Sequence, residues 1–130
     1  MMYLASPYTH SDPSVREARF DAACLATVAM VRAGHVVFSP IVHGHPLVRL
    51  DLPIEWEYWE RIDREYLWRC DEVVVLMLDG WRESRGVQAE IGLAKEMGLP
   101  IRYLPPSMTS NTSGGETSIS VRPLSQETSI

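Results

Sequence analysis

The sequence predicts a three-layer α/β domain built on a short parallel sheet, and three observations carry that prediction. Short apolar segments alternate with stretches of helical periodicity along the chain. One apolar segment, Glu72 to Leu78 (EVVVLML), is continuous rather than alternating, the pattern of a strand covered on both faces. Turn-forming pairs such as Ser6-Pro7, Ser39-Pro40 and Asp79-Gly80 close these segments where a strand should hand over to the next element.

Met2-Tyr3-Leu4-Ala5 is the first expected strand, ended by Ser6-Pro7. Asp12 as N-cap and Pro13 at the first helical position open a helix. Its apolar positions are Ala18, Ala22, Leu25, Ala26 and Ala29, and Gly34 stops it. His35 to Phe38 is a second strand. The stretch from Ser39 to Pro53, rich in turn residues, is expected to be a loop, and Pro53 to open a helix lasting to about Arg69. After the strand from Glu72, Ser84 caps a third helix that Gly98 and Pro100 end, and Ile101 to Leu104 is a last short strand.

Strand–helix alternation implies right-handed crossovers and helices on both faces of the sheet, a Rossmann-like or flavodoxin-like arrangement of four, or five, strands. Residues 1–104 form the domain. Residues 105–130 turn abruptly to Ser, Thr and Gly and are expected to be a flexible tail, with Ile119 to Leu124 the one place for a fifth strand or docking segment.

The net charge of −5 argues against a nucleic-acid duplex as partner, because phosphate binding needs a basic footprint; it leaves room for a single nucleotide. No apolar run approaches the ~20 residues of a membrane helix, and no basic leader precedes an apolar stretch, so the cytoplasm is the expected compartment. Cys24 and Cys70 have no ligand spacing and are expected to be buried thiols. Neither a Gly-rich GxGxxG loop nor a ligand cluster is present, so neither cofactor nor metal is expected.

Two carboxylates stand out when the helices are projected at ~100° per residue. On the third helix Val87, Ile91, Leu93, Ala94 and Met97 form an apolar arc, while Gln88, Lys95 and Glu96 mark the wet side. Glu90 falls inside the arc. On the second helix Asp63 falls inside the stripe of Trp59, Ile62, Tyr66, Leu67 and Cys70, opposite Glu57, Glu60, Arg61 and Arg64. An ionised carboxylate buried without partners costs several kcal/mol. Either these groups sit half-exposed or paired with an inward Arg, or they form one shared site. Paired carboxylates suit glycosidic chemistry, one attacking or stabilising the sugar carbon and the other handling a hydroxyl or proton.

At the same positions the chain resembles a known family. Tyr3-Leu4-Ala5-Ser6-Pro7-Tyr8 is similar to the opening strand and loop of nucleoside 2-deoxyribosyltransferases and of the related 2′-deoxynucleoside 5′-phosphate N-hydrolases. Asp63, eight residues before Asp71, has the spacing of that family's sugar-site aspartate, and Ser84 to Gly92 (SRGVQAEIG) resembles its S/D-x-G-x-x-x-E-x-G signature. The resemblance implies that Glu90 is a nucleophile, that Asp63 holds sugar hydroxyls or moves a proton, and that Tyr3 fixes the Glu90 rotamer. It also implies that the loop from Ser6 to Thr9, with Ser6, Pro7 and Tyr8, wraps the ligand with backbone groups. The serine at position 84, where the transferase branch carries an acid, points with Gly86 to a 5′-phosphate at a helix N-terminus; a plain N-cap is the alternative.

The implied activity is therefore hydrolysis of the N-glycosidic bond of a (deoxy)nucleoside 5′-monophosphate, with base exchange between nucleosides, or nucleotide sensing without turnover, as alternatives. His43 and His45 are expected in a lid over the ligand. Trp81, after the buried strand, is expected to stack on a base, and Asp79 either to cap the turn there or to touch ligand. Trp68 projects to the wet side and, with the family's habit of completing its site with a neighbouring subunit, implies a homodimer or higher homo-oligomer.

Overall fold

A computed structural model of the chain describes residues 1–106. The expected tail from Ser107 and the fifth strand or docking segment at Ile119 to Leu124 lie outside the described residues. The order of elements is β1 (Met2–Ala5), α1 (Pro13–Arg32), β2 (Val37–Phe38), α2 (Pro40–Val48), α3 (Trp56–Trp68), β3 (Glu72–Leu76), α4 (Arg85–Met97) and β4 (Ile101–Leu104). Among the described residues four strands form one all-parallel sheet in the order β2-β1-β3-β4, so the predicted α/β class holds.

Side-chain alternation in the two central strands builds the layers. Tyr3 and Ala5 of β1 and Val73 and Val75 of β3 face one way, joining Leu67 of α3 and Val87, Ile91 and Ala94 of α4. Met2, Leu4, Val74 and Leu76 face the other way, against Ala26 and Met30 of α1. Burial on both faces explains the unbroken apolar run of β3, because a Val or Leu fully removed from water contributes about 1.5–3 kcal/mol. The strand is shorter than expected, since Leu78 N–H turns back to the carbonyl of Leu76.

The helix termini follow their local chemistry. The Asp12 carboxylate accepts from Ser14 N–H ahead of Pro13, and the Ser84 hydroxyl accepts from Val87 N–H. Gly98 closes α4 with φ 74°, a conformation that costs little only without a Cβ.

The stretch from Ser39 to Pro53 corrects the expectation of a loop, because its first half is helix α2. Ser39 accepts from Val42 N–H and Pro40 occupies the first turn, the same signature that opens α1. This cap also shortens β2 to two residues, since the chain leaves the sheet at Ser39. α3 begins at Trp56 rather than Pro53, because the Pro53 carbonyl is held by the Trp59 indole N–H at 2.7 Å and the Ile54 carbonyl by Thr9 at 3.0 Å. Cys24 and Cys70 are free thiols, Cys70 buried and Cys24 half-buried. Among the described residues no helix is long and apolar enough to cross a membrane.

Candidate active site

Parallel strands place all their carboxyl ends on one edge, and β1 and β3 lie side by side while their chains leave for opposite sides of the sheet. At that switch point a crevice opens. Here it is a cavity of about 340 Å³, lined by the segment after β1 (Ser6, Tyr8, Thr9), by α2, by the start and second turn of α3, and by the N-terminal half of α4. That volume is within the range of small-molecule sites.

Glu90 and Asp63 both line this cavity, and both are buried, 4% and 8% exposed. Neither meets an inward arginine among the described residues. The Glu90 carboxylate accepts the Tyr3 hydroxyl at 2.5 Å, so a donor on the central strand fixes a carboxylate on α4. Burial raises the pKa of Glu90, the Asp63 carboxylate raises it further, and the Tyr3 hydrogen bond opposes both. Burial alone lifts Asp63 to about 7. Burial, then the two carboxylates, hold the Tyr3 phenol protonated, so it remains a donor. Both carboxyls are thus held above the ordinary carboxylate range, and the charge on Asp63 adds to the rise of Glu90.

The cavity wall is polar at defined points. The Ser6 hydroxyl is buried without a hydrogen-bond partner, although a serine oxygen ordinarily finds one. Ser84, Arg85 and Gly86 bring the N-terminus of α4 to the cavity. Ser84 is an N-cap and a lining residue at once, its oxygen 3.2 Å from Val87 N. Trp56 lies over Gly86, where an added Cβ would meet its ring at 3.4 Å, and Trp59 lies over Gly44 at 3.5 Å. The two glycines thus let an aromatic wall approach the helices. Arg85 pairs with Glu57 at 2.5 Å on the rim, where Glu55 and Glu83 also stand.

Of the residues singled out in the sequence, Glu90, Asp63, Ser6, Tyr8, His45, Ser84 and Gly86 come together, with Tyr3 beneath them. Besides Tyr3, four others do not line the cavity. Pro7 is fully buried behind the wall. His43 is on the exposed side of α2, beside Phe38 and Tyr66, since a helix turns residues two apart to different faces. Trp81 packs on the core beside Tyr103, under Arg82, and is not among the residues lining the cavity. Asp79 is exposed, its backbone carbonyl accepting from Arg19 at 3.3 Å. The lid expected of His43 and His45 is instead a wall, for His45 is 4% exposed within α2.

The sequence reading missed Trp56 as a lining residue and Glu17 altogether. Glu17 accepts from His45 Nε2 at 2.7 Å and is paired with Arg49 at 2.9 Å. The residues 17, 45 and 49 meet only through the packing of α1 on α2, which no spacing along the chain announces.

A family model described as a domain of unknown function, DUF1937, matches residues 1–104. The chain belongs to that family. The match to the DUF1937 domain takes in every lining residue of the cavity. No curated protein matches the chain.

Proposed function

We propose that this DUF1937 domain cleaves the N-glycosidic bond of a (deoxy)nucleoside 5′-monophosphate, with Glu90 as nucleophile and water as final acceptor. The observation that carries the reading is the pair of buried carboxylates, Glu90 and Asp63, presented by two helices to one cavity of small-molecule size. Burying such groups costs stability that the apolar residues around them would not, and a site is the economical reason for keeping both. Glu90 attacks the anomeric carbon as the base departs, and a glycosyl ester forms. Asp63, with a pKa of about 7, can give a proton to the leaving base and take one up again from solvent before the next turnover. Trp56 and Trp59 offer apolar faces to the base. The test is incubation with a panel of nucleosides and their monophosphates, followed chromatographically. Free base from a monophosphate supports the reading; exchange of bases in preference to hydrolysis favours the transferase variant.

The phosphate assignment rests on Ser84 and the N–H groups at the start of α4. The neighbouring Glu55, Glu57 and Glu83 work against an anion, so the preference for monophosphates should be moderate and appear in KM. Ser84→Ala also removes a helix cap, which lowers stability for either substrate. The ratio of kcat/KM for monophosphate over nucleoside cancels that effect. It should fall by the equivalent of about 1–2 kcal/mol if one charge-assisted hydrogen bond is lost. An unchanged ratio would mean that Ser84 is a cap and nothing more.

A homodimer or higher assembly through α3 is part of the same proposal. Trp68 is 69% exposed on that helix, and covering a tryptophan is a common use of a subunit interface. Light scattering should give at least twice the mass of the chain, and Trp68→Glu should return it to the monomer.

A further inference from the structure

Tyr8, His45 and Glu17 form a continuous chain of hydrogen bonds from the cavity to the surface. The Tyr8 oxygen lies 2.5 Å from His45 Nδ1, and His45 Nε2 lies 2.7 Å from Glu17. Tyr8 and His45 line the cavity and are buried, 9% and 4% exposed, whereas the Glu17 side chain is 44% exposed. Three elements contribute one member each: the segment after β1, α2 and α1. The chain is anchored at its outer end by the Arg49 guanidinium, and Phe20 packs on the imidazole with ring centroids 4.6 Å apart.

The tautomer follows from the outer end. Hydrogen bonds from Arg49, then from His45, hold the Glu17 carboxyl down at about 2, so it is an ionised acceptor. His45 Nε2 must therefore carry the hydrogen, and in the neutral ring Nδ1 is left as an acceptor. Tyr8 then donates its hydroxyl proton to Nδ1, and its oxygen, beside the Arg16 guanidinium, keeps a lone pair for the cavity. Burial raises the Tyr8 phenol, and the Arg16 guanidinium opposes that rise. The order of groups is that of a hydroxyl, a base and an orienting carboxylate.

Building on the N-glycosidic reading, we infer that Tyr8 is the proton acceptor for the water that releases the sugar from Glu90, with His45 and Glu17 as its relay. In this step the water oxygen forms a bond to the anomeric carbon while the bond from that carbon to the Glu90 oxygen breaks, its electron pair returning to the carboxylate. The water proton goes to the Tyr8 oxygen as the Tyr8 proton goes to His45 Nδ1. The imidazolium so formed is held by Glu17 and gives its proton to solvent at the exposed end. The first half of the reaction, in which the base leaves, does not use the relay. The proton of the attacking water thereby has an outlet separate from the two carboxylates. Tyr8 is the catalytic member; His45 and Glu17 are positioning residues.

The experiment is rapid-quench measurement of base release with the deoxynucleoside 5′-monophosphate that the wild type cleaves fastest, repeated for Tyr8→Phe, His45→Gln and Glu17→Gln. Each variant should release about one equivalent of base per site in a burst and then turn over slowly. Steady-state rates should fall roughly 10²-fold for Tyr8→Phe and His45→Gln, the lower end of what a positioned acid–base group contributes, and about 10-fold for Glu17→Gln. Azide, a nucleophile with no proton to lose, should restore turnover and give the glycosyl azide. Glu17 is at the surface, so its variant tests the relay without disturbing the interior. Burst and steady state slowed in equal proportion, or both unchanged, would overturn the relay and leave the glycosidic reading standing. No base release by the wild type from any substrate of the panel would remove both.

Discussion

Glu90→Gln should abolish base release while leaving a folded protein that melts no lower than the wild type. The amide keeps the shape of the side chain and can still accept the Tyr3 hydroxyl, so the hydrogen bond at 2.5 Å has a substitute. What disappears is the nucleophile, and with it a loss of roughly 10⁴-fold or more in kcat, the scale seen when a nucleophile is removed from an assembled site. Stability should hold or rise, because a buried ionisable group kept for chemistry is a cost to the fold. Turnover of Glu90→Gln near that of the wild type, after exclusion of deamidation by mass spectrometry, would falsify the nucleophile assignment. A collapse in melting temperature would instead make Glu90 a structural partner of Tyr3.

Asp63→Asn should have the second largest effect, and its signature is in pH as much as in rate. The folded carboxyl titrates at about 7 against an ordinary 3.8, so between these values the folded chain holds a proton that the unfolded chain has lost. The slope of stability with pH is then negative for this group. Its cost is absent below about pH 4, grows through the window and is complete above pH 7. The full cost is on the order of 4 kcal/mol, from about 1.36 kcal/mol per pH unit across the window. Asparagine cannot lose a proton, so the variant should gain on the wild type steadily from pH 4 to 7 and by a constant margin above it. Paired thermal melts from pH 4 to 8 measure that difference; groups that Asp63 does not affect cancel, and Glu90, which the Asp63 charge raises, adds a change of the same sign.

In activity, the same substitution should lower kcat by roughly 10²–10⁴-fold, the range of a positioned acid–base group. The rising limb of the pH–rate profile should also move to lower pH, because the Asp63 charge that helps raise Glu90 is gone. A limb that stays in place with kcat unaltered would leave Asp63 a structural residue and the site resting on Glu90.

The parts of the fold that were legible in the sequence were those carried by local chemistry. The continuous run of β3 announced burial on two faces, and the caps Asp12 and Ser84 marked α1 and α4. The inward phase of Glu90 and Asp63 followed from helical periodicity alone, and both side chains are buried where that phase points. α2 was hidden although Ser39-Pro40 repeats the cap-and-proline signature of Asp12-Pro13. Gly44 and Pro46 inside a nine-residue helix weaken its pattern, and helix propensity is only a weak guide against tertiary packing. The place of Trp81 after β3 suggests a ligand contact, but position along a chain says nothing about which way a ring turns. Its packing on Tyr103 did not follow from any local signal.

The pairing of β1 on both sides has an evolutionary consequence. Met2 is opposite Val37 and Glu72, and Tyr3 is opposite Phe38 and Val73, so this strand is locked between two neighbours. Successive residues alternate between the α1 face and the α4 face. Loss or gain of one residue within Met2–Ala5 would turn Tyr3 to the α1 side and bring an aliphatic group to Glu90. Point changes in β1 can be graded in effect, whereas changes of length there are all-or-none for the carboxylate's donor. Relatives of this domain should therefore vary in length within the connection 49–55 before α3, and keep the spacing from the start of β1 to Ser6 fixed.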